Sequence, residues 1–296
     1  MFRFICCLLS VSLVLGFAPV RGQDSSGVKK VGELYHCWAS NLGVKIVGRY
    51  CFTVVSNQGL VVLDITNPSE PEEVARYDTP GWACELDIVG ETAFIADYWG
   101  GLRVMDISNP LEPQEIGFYA NGAAFRAVHV VDGLAYVAEQ DSGLLILDVT
   151  NPSEPKEVGS CATSSEVWDV LPIENYTFVV DADSGLFVIN TADPANPIQV
   201  GKFKASKCKS IGMSGNHVFI GDNNYLRIID ISFLPNLWEV GSCALNAVEV
   251  REIMVEEDRA YVGYWTNEFA IVDLSDIASP KKLATVKTPG NVYDIA

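Results

Sequence analysis

Residues 59–71 read GLVVLDITNPSEP, and the same phrase returns as GLRVMDISNPLEP at 101–113 and as GLLILDVTNPSEP at 143–155. Three looser copies follow: GLFVINTADPANP (185–197), YLRIIDISFLPNL (225–237) and EFAIVDLSDIASP (268–280). The residue at the centre of the phrase, Asp64, Asp106, Asp148, Asn190, Asp230 or Asp273, recurs at intervals of 42, 42, 42, 40 and 43 residues. A near-constant period of about 40 to 45 residues marks a repeat array whose units bury their apolar faces only against one another.

Outward from the phrase, the second repeat shows four short runs, CELDIV (84–89), TAFIAD (92–97), GLRVMDI (101–107) and PQEIGFY (113–119). Each is rich in β-branched and aromatic residues and bounded by Gly, Asn or Pro, which predicts four strands per repeat, a to d. Turns such as SNQG (56–59), QDSG (140–143) and DADSG (181–185) join b to c and supply the positive φ that hairpins need. The double-proline loop separates c from d, because proline cannot donate to a ladder. Strand c is apolar on both faces, which requires cover on both sides. With no helical periodicity anywhere, only neighbouring repeats can provide it. The predicted fold class is therefore all-β, a β-propeller of four-stranded blades.

The ends set the blade number. VKKVGELY (28–35) matches strand d of other repeats, and NVYDIA (291–296) matches only the start of strand a. A seventh blade built from both ends would then lack b and c. A seven-bladed ring with an incomplete last blade is the preferred expectation, and a six-bladed ring with spare strands the alternative. Residues 1–22 read as a signal peptide, with a basic start at Met1–Arg3, an apolar run Phe4–Phe17 and cleavage expected near Gly22. Residues 23–27 form a short polar linker, and 28–296 are the propeller of six full repeats plus the two terminal strands.

Twenty Lys and Arg against 38 Asp and Glu leave a net charge of −18, which argues against nucleic acid and anionic membrane surfaces as partners. No run after the leader is long enough to span a bilayer, so an exported, soluble monomer is expected, secreted or at the cell surface, with the periplasm also open. Outside the leader stand Cys37, Cys51, Cys84, Cys161, Cys208 and Cys243, without CxxC or Cys-His spacing. Cys161 and Cys243 occupy one repeat position two repeats apart and are expected as free thiols; pairing among the other four is left open.

The phrase GLxVxDIxNPxxP, with an acid opening strand a and Ala-Asp or a similar pair ending strand b, resembles the LVIVD-repeat family of secreted propellers. The resemblance covers nearly all of 28–296, with drift at Asn190 and at Leu234-Pro235. It implies a propeller at or outside the cell surface and no particular reaction.

Aligning the repeats puts Gly43, Glu85, Ala127, Asp169, Ser210, Glu252 and Asp294 in one column at the start of strand a. Val55, Asp97, Glu139, Asp181, Asp222 and Tyr264 form a second column at the end of strand b. Both are expected at one mouth of the channel, where gathered acids repel unless compensated. Calcium is one possible compensation; others are pairing with Arg126, Lys209 and Arg251, one position before the first column, and hydrogen bonds from loop backbone. Trp82, Phe125 and Trp168, with Tyr98, Trp99, Tyr225 and Trp265, gather on the same face. Rings beside acids suit a protein or glycan partner, with packing between blades as the structural alternative. The expected ligand contacts are Trp99, Trp265, Tyr98, Trp82, Trp168, Asp97, Glu139, Asp181, Asp222, Glu85 and Asp169. His36, His129 and His217 fall in different repeat positions, and no G-x-S-x-G, HExxH or phosphate loop occurs. A non-enzymatic binding module with no cofactor is the first expectation; a hydrolase or lyase using the acidic mouth, with calcium, is the alternative.

Overall fold

Each repeat folds into a four-stranded antiparallel sheet, and the sheets stand side by side around a channel. The computed structural model describes residues 3–7, 10–16, 28–35, 41–246, 249–288 and 290–296, with side chains from Leu42 onward. The polar linker at 23–27, the cleavage position near Gly22, His36 and Cys37 lie outside the described residues. The second blade is typical: Glu85–Val89, Thr92–Ala96, Leu102–Asp106 and Gln114–Tyr119 run from the inside out. The inner strands of the other five repeats are Asn41–Val47, Phe125–Val131, Val167–Ile173, Ile211–Ser214 and Val250–Glu256.

Cores lie between blades, as the two-sided apolar pattern of strand c requires. In the first blade Phe52, Val54, Leu60 and Val62 pack with Leu86, Ile95 and Met105 of the second. The alternate residues Cys51, Val55, Val61 and Leu63 face the other way, in the cluster that Ala296 joins. Each such side chain contributes about 1.5–3 kcal/mol when fully buried.

The organising phrase builds the rim opposite the candidate site. Its Asp caps an Asx turn, as in Asp64 Oδ1 accepting from Thr66 N at 2.8 Å and Asp148 Oδ1 from Thr150 N at 2.9 Å. Three residues on, a second Asx turn follows, Asn67 Oδ1 accepting from Ser69 N at 3.2 Å and Asn109 Oδ1 from Leu111 N at 3.2 Å. Hydroxyl and backbone hydrogen bonds from Thr66 and Thr150 hold the Asp64 and Asp148 carboxyls below the usual range, and those from the Ser108 backbone and hydroxyl do the same for Asp106. In the drifted fifth copy Asp230 still accepts from Ser232 N at 2.7 Å, but Phe233 stands in place of the Asn, and the second turn keeps its backbone hydrogen bond from Asn236 N to Phe233 O.

The loop so shaped presses on the preceding blade. Strand d is bulged against strand c one residue before Gly117, Gly159, Gly201 and Gly241. A Cβ on these glycines would lie 2.2, 2.4, 2.5 and 1.9 Å from the carbonyl oxygens of Pro152, Pro194, Pro235 and Ile277, each in the loop between strands c and d of the next blade. The glycine of the V-G pair in strand d is thus the seat of the neighbouring loop.

The six repeats are followed by one further four-stranded sheet, ordered Val292–Ile295, Arg3–Cys7, Ser10–Gly16, Val28–Tyr35. Its inner strand packs against the inner strands of the sixth and first blades. The expectation that this sheet lacks b and c is corrected: Arg3–Cys7 pairs with Val292–Ile295, and Ser10–Gly16 with Val28–Tyr35. An apolar run has two readings, since its composition suits both an export leader and a pair of short buried strands.

Cys51, Cys84, Cys161, Cys208 and Cys243 are free thiols. Among the described residues no helix is long and apolar enough to cross a membrane.

Candidate functional site at the channel mouth

The inner strands converge on a cavity of about 850 Å3. From the first column, Glu85, Asp169, Glu252 and Asp294 line it. Period-2 alternation brings in Lys45 and His129, each two residues along its strand from a column position.

Several of these acids also tie blades together. Asp294 Oδ2 accepts from Val44 N at 2.6 Å, and Asp169 Oδ2 accepts from Ile211 N at 3.0 Å. Ser210 plays the same part, its Oγ accepting from Ile253 N at 3.1 Å while donating to Glu252 Oε2 at 3.2 Å. An acceptor in this column therefore replaces the ladder that separate sheets cannot share.

Burial and then neighbouring carboxylates push Glu85 well above the ordinary range, and Glu252 likewise. Burial, opposed by backbone hydrogen bonds, raises Asp169 to about 7, and burial, opposed by Lys45, raises Asp294 to about 6. Burial works against the charge on Lys45, yet Asp294 and Glu85 together raise its pKa. Burial, then Lys45, pushes His129 down to about 4, so its 3.8 Å approach to Glu85 is not an ion pair near neutrality.

A raised carboxyl makes the folded state bind more protons than the unfolded one, so stability falls as pH rises from the unfolded pKa through the folded pKa. Melting temperature should therefore drop by about 5 °C between roughly pH 5 and pH 8. Glu85→Gln, which mimics the protonated form, should flatten that slope; a slope of opposite sign in the wild type would refute the charge assignment.

Above the acids lies a tier of cations around one ring. Arg126 Cζ, Lys209 Nζ and Arg251 Cζ stand 3.8, 3.9 and 4.9 Å from the Trp168 centroid. Arg251 also covers Trp265 at 4.0 Å. Lys209 and Arg251 share one carboxylate, Glu249, at 2.6 and 3.1 Å. Pairing of these cations with the acid column, one of the compensations open from sequence, is not found among the described residues, where their carboxylate partner is Glu249. Trp168 serves as a platform for cations, each such contact being worth about 0.5–2 kcal/mol.

Aromatic side chains rim the opening. Trp82 stacks on Tyr98 at 6.1 Å between centroids, and Trp265 meets Tyr293 edge-on at 5.3 Å. Trp82 is 61% exposed and Trp265 42%. Tyr98 takes a left-handed backbone, φ 46°, held by reciprocal 3.1 Å hydrogen bonds with Phe125, and its hydroxyl donates to Gln140 Oε1 at 2.5 Å. Trp99, 63% exposed, packs edge-on against Tyr98 but does not line the cavity.

The second column is not brought to the cavity. Asp97, Glu139, Asp181 and Asp222 are buried behind the rim, where each holds the d–a loop of its own blade. Asp97 accepts from Thr79 Oγ1 at 2.6 Å and Gly81 N at 2.8 Å. Glu139 accepts from Asn121 Nδ2 at 2.8 Å, and Asp222 from Ser206 N at 3.1 Å. Asp181 accepts from Ser165 N at 2.8 Å, Ser184 N at 3.0 Å, Ser164 N at 3.2 Å and the Ser165 hydroxyl.

Glu85, His129 and Asp169 each offer one ligand atom, all within 4.8 Å of one another. An imidazole with two carboxylates suits an intermediate divalent ion better than calcium, which takes six to eight oxygens. Lys45 already supplies positive charge to this group.

These features define a β-propeller of repeated blades with a charged, aromatic, ligand-sized channel mouth. The LVIVD repeat matches at residues 40–79, 80–121, 122–163, 165–205, 205–244 and 249–288, and the chain belongs to that family. No curated protein matches it. It is similar in fold to a hypothetical selenium-binding protein from Sulfolobus tokodaii, at TM-score 0.82, 10% identity, and coverage of 99% of this chain and 92% of that one. A functionally unknown protein from Desulfotomaculum acetoxidans is similar at TM-score 0.80, 14% identity, and coverage of 100% and 98%.

Proposed function

We propose that this chain is an exported, non-enzymatic binding module that receives a protein or glycan partner at the channel mouth. The observation that carries the reading is the cavity of about 850 Å3 whose rim leaves Trp82 and Trp265 open to solvent. Cavities of 300–1,000 Å3 are the usual size for ligand sites, and an exposed indole beside one is an anchor for a partner. Export is supported by membership of the LVIVD-repeat family of secreted propellers.

The test is binding to an immobilised library of glycans and peptides. Trp82→Ala combined with Trp265→Ala should abolish saturable binding, a loss of about 2 kcal/mol or more, while melting temperature changes little. Retained binding would place the site elsewhere, and unfolding of the double variant would assign the rings to packing.

A further inference from the structure

Buried donors at the mouth lack acceptors, Arg126 Nε and Trp168 Nε1, while Arg251 Nε has only an ion-pair contact, with Glu249 at 3.1 Å. They sit in the tier where Arg126, Lys209 and Arg251 converge and Glu249 is the one carboxylate paired with them among the described residues. A chain with a net charge of −18 has thus concentrated three cations in one recess. Buried polar groups are ordinarily satisfied, and donors left open call for an acceptor from outside.

The recess is bipolar. Its upper tier has surplus N–H donors, whereas its floor holds Glu85, Asp169, Glu252 and Asp294 with Lys45. Carboxyl groups at such a depth can exchange hydrogen bonds with hydroxyls. Trp82 and Trp265 offer rings at the opening. A ligand with an anionic group, several hydroxyls and a flat C–H face matches all three zones. An acidic peptide matches the cations but would set its remaining carboxylates against the acidic floor.

We propose that the mouth binds an acidic saccharide, its carboxylate or sulfate seated on Arg126, Lys209 and Arg251 with the Trp168 indole N–H, and its hydroxyls directed to the carboxyl floor. This rests on the glycan half of the reading above and names the ligand class. Lys209 and Arg251 fit it: burial, with repulsion from neighbouring cations against the opposing pull of Glu249, lowers the pKa of both. A bound anion would relieve that repulsion.

The probes are tri-galacturonic acid, its methyl ester, which removes charge but keeps the rings, and hexaglutamate, titrated calorimetrically into the intact chain at low salt. The free acid should bind about tenfold or more tighter than the ester, since only the acid can form charge-assisted hydrogen bonds with the cations. Arg126→Gln with Arg251→Gln should erase that preference, so that free acid and ester bind with the same affinity. Lys209→Met provides a second route should the double variant fail to fold.

Equal affinity for acid and ester, tighter binding of hexaglutamate, or no binding of tri-galacturonic acid would each overturn the assignment. Acid and ester bound alike, with both lost in the Trp82/Trp265 variant, would remove the anion seat while leaving the rim as a binding site. Absence of any ligand at the rim in the library screen would remove both.

Discussion

Gly159→Val should lower stability by about 3 kcal/mol or more, a drop in melting temperature of about 10 °C for a chain of this size. The expectation follows from where the glycine sits. A Cβ there would meet Pro194 O at 2.4 Å and Ala195 backbone atoms at 3.0 Å, so the neighbour that must yield is main chain and not a flexible side-chain tip. To make room, the fourth blade's loop would have to lift, exposing apolar surface shared by two blades. Gly90→Asn is the control. Gly90 has φ +61° with nothing within 4 Å, and Asn tolerates that conformation at little cost. Differential scanning calorimetry of the two variants should separate them clearly; equal, small shifts would show that the loop does not bear on strand d.

Asp181→Ala is the second large effect. Its carboxylate accepts from the backbone of Ser164, Ser165 and Ser184 and from the Ser165 hydroxyl, so truncation strands three backbone donors at once. Each stranded donor costs about 1–3 kcal/mol where water cannot reach it, and a total near 3 kcal/mol is expected after partial rehydration of the loop. Amide exchange at Ser165 and Ser184 should accelerate well beyond that of the core strands. Binding at the mouth should persist in the folded fraction, because Asp181 does not line the cavity. Loss of binding without loss of stability would return Asp181 to the ligand-contacting set.

These two cases show what was legible in the chain before its fold was known. Strand boundaries, blade order and inner-strand placement follow from period, turn chemistry and two-sided apolar patterning, all local properties. The acid column at Glu85, Asp169, Glu252 and Asp294 was equally legible, since repeat equivalence carries one strand's orientation to every blade. The second column was not separable from it by spacing alone. Whether the end of strand b points into the channel or back toward the d–a loop depends on strand twist and loop path, and Asp97 and Asp181 turn toward the loop. Arg126 and Arg251 could be placed near the mouth, but their gathering around Trp168 depends on side-chain reach across blades. Lys45 was available from alternation with Gly43. The strands Arg3–Cys7 and Ser10–Gly16 were hidden because the same apolar run reads as an export leader.

The hydrogen bond from Val44 N to the Asp294 carboxylate joins residues 250 positions apart. Contacts of such sequence separation form only once the intervening chain is arranged, which places ring closure late on the folding path. An interaction absent from the transition state governs how fast the native molecule opens and leaves the rate of its assembly nearly untouched. The link between first and last inner strands is thus expected to act as a kinetic latch, so that Asp294→Asn should speed unfolding while leaving the refolding rate nearly unchanged.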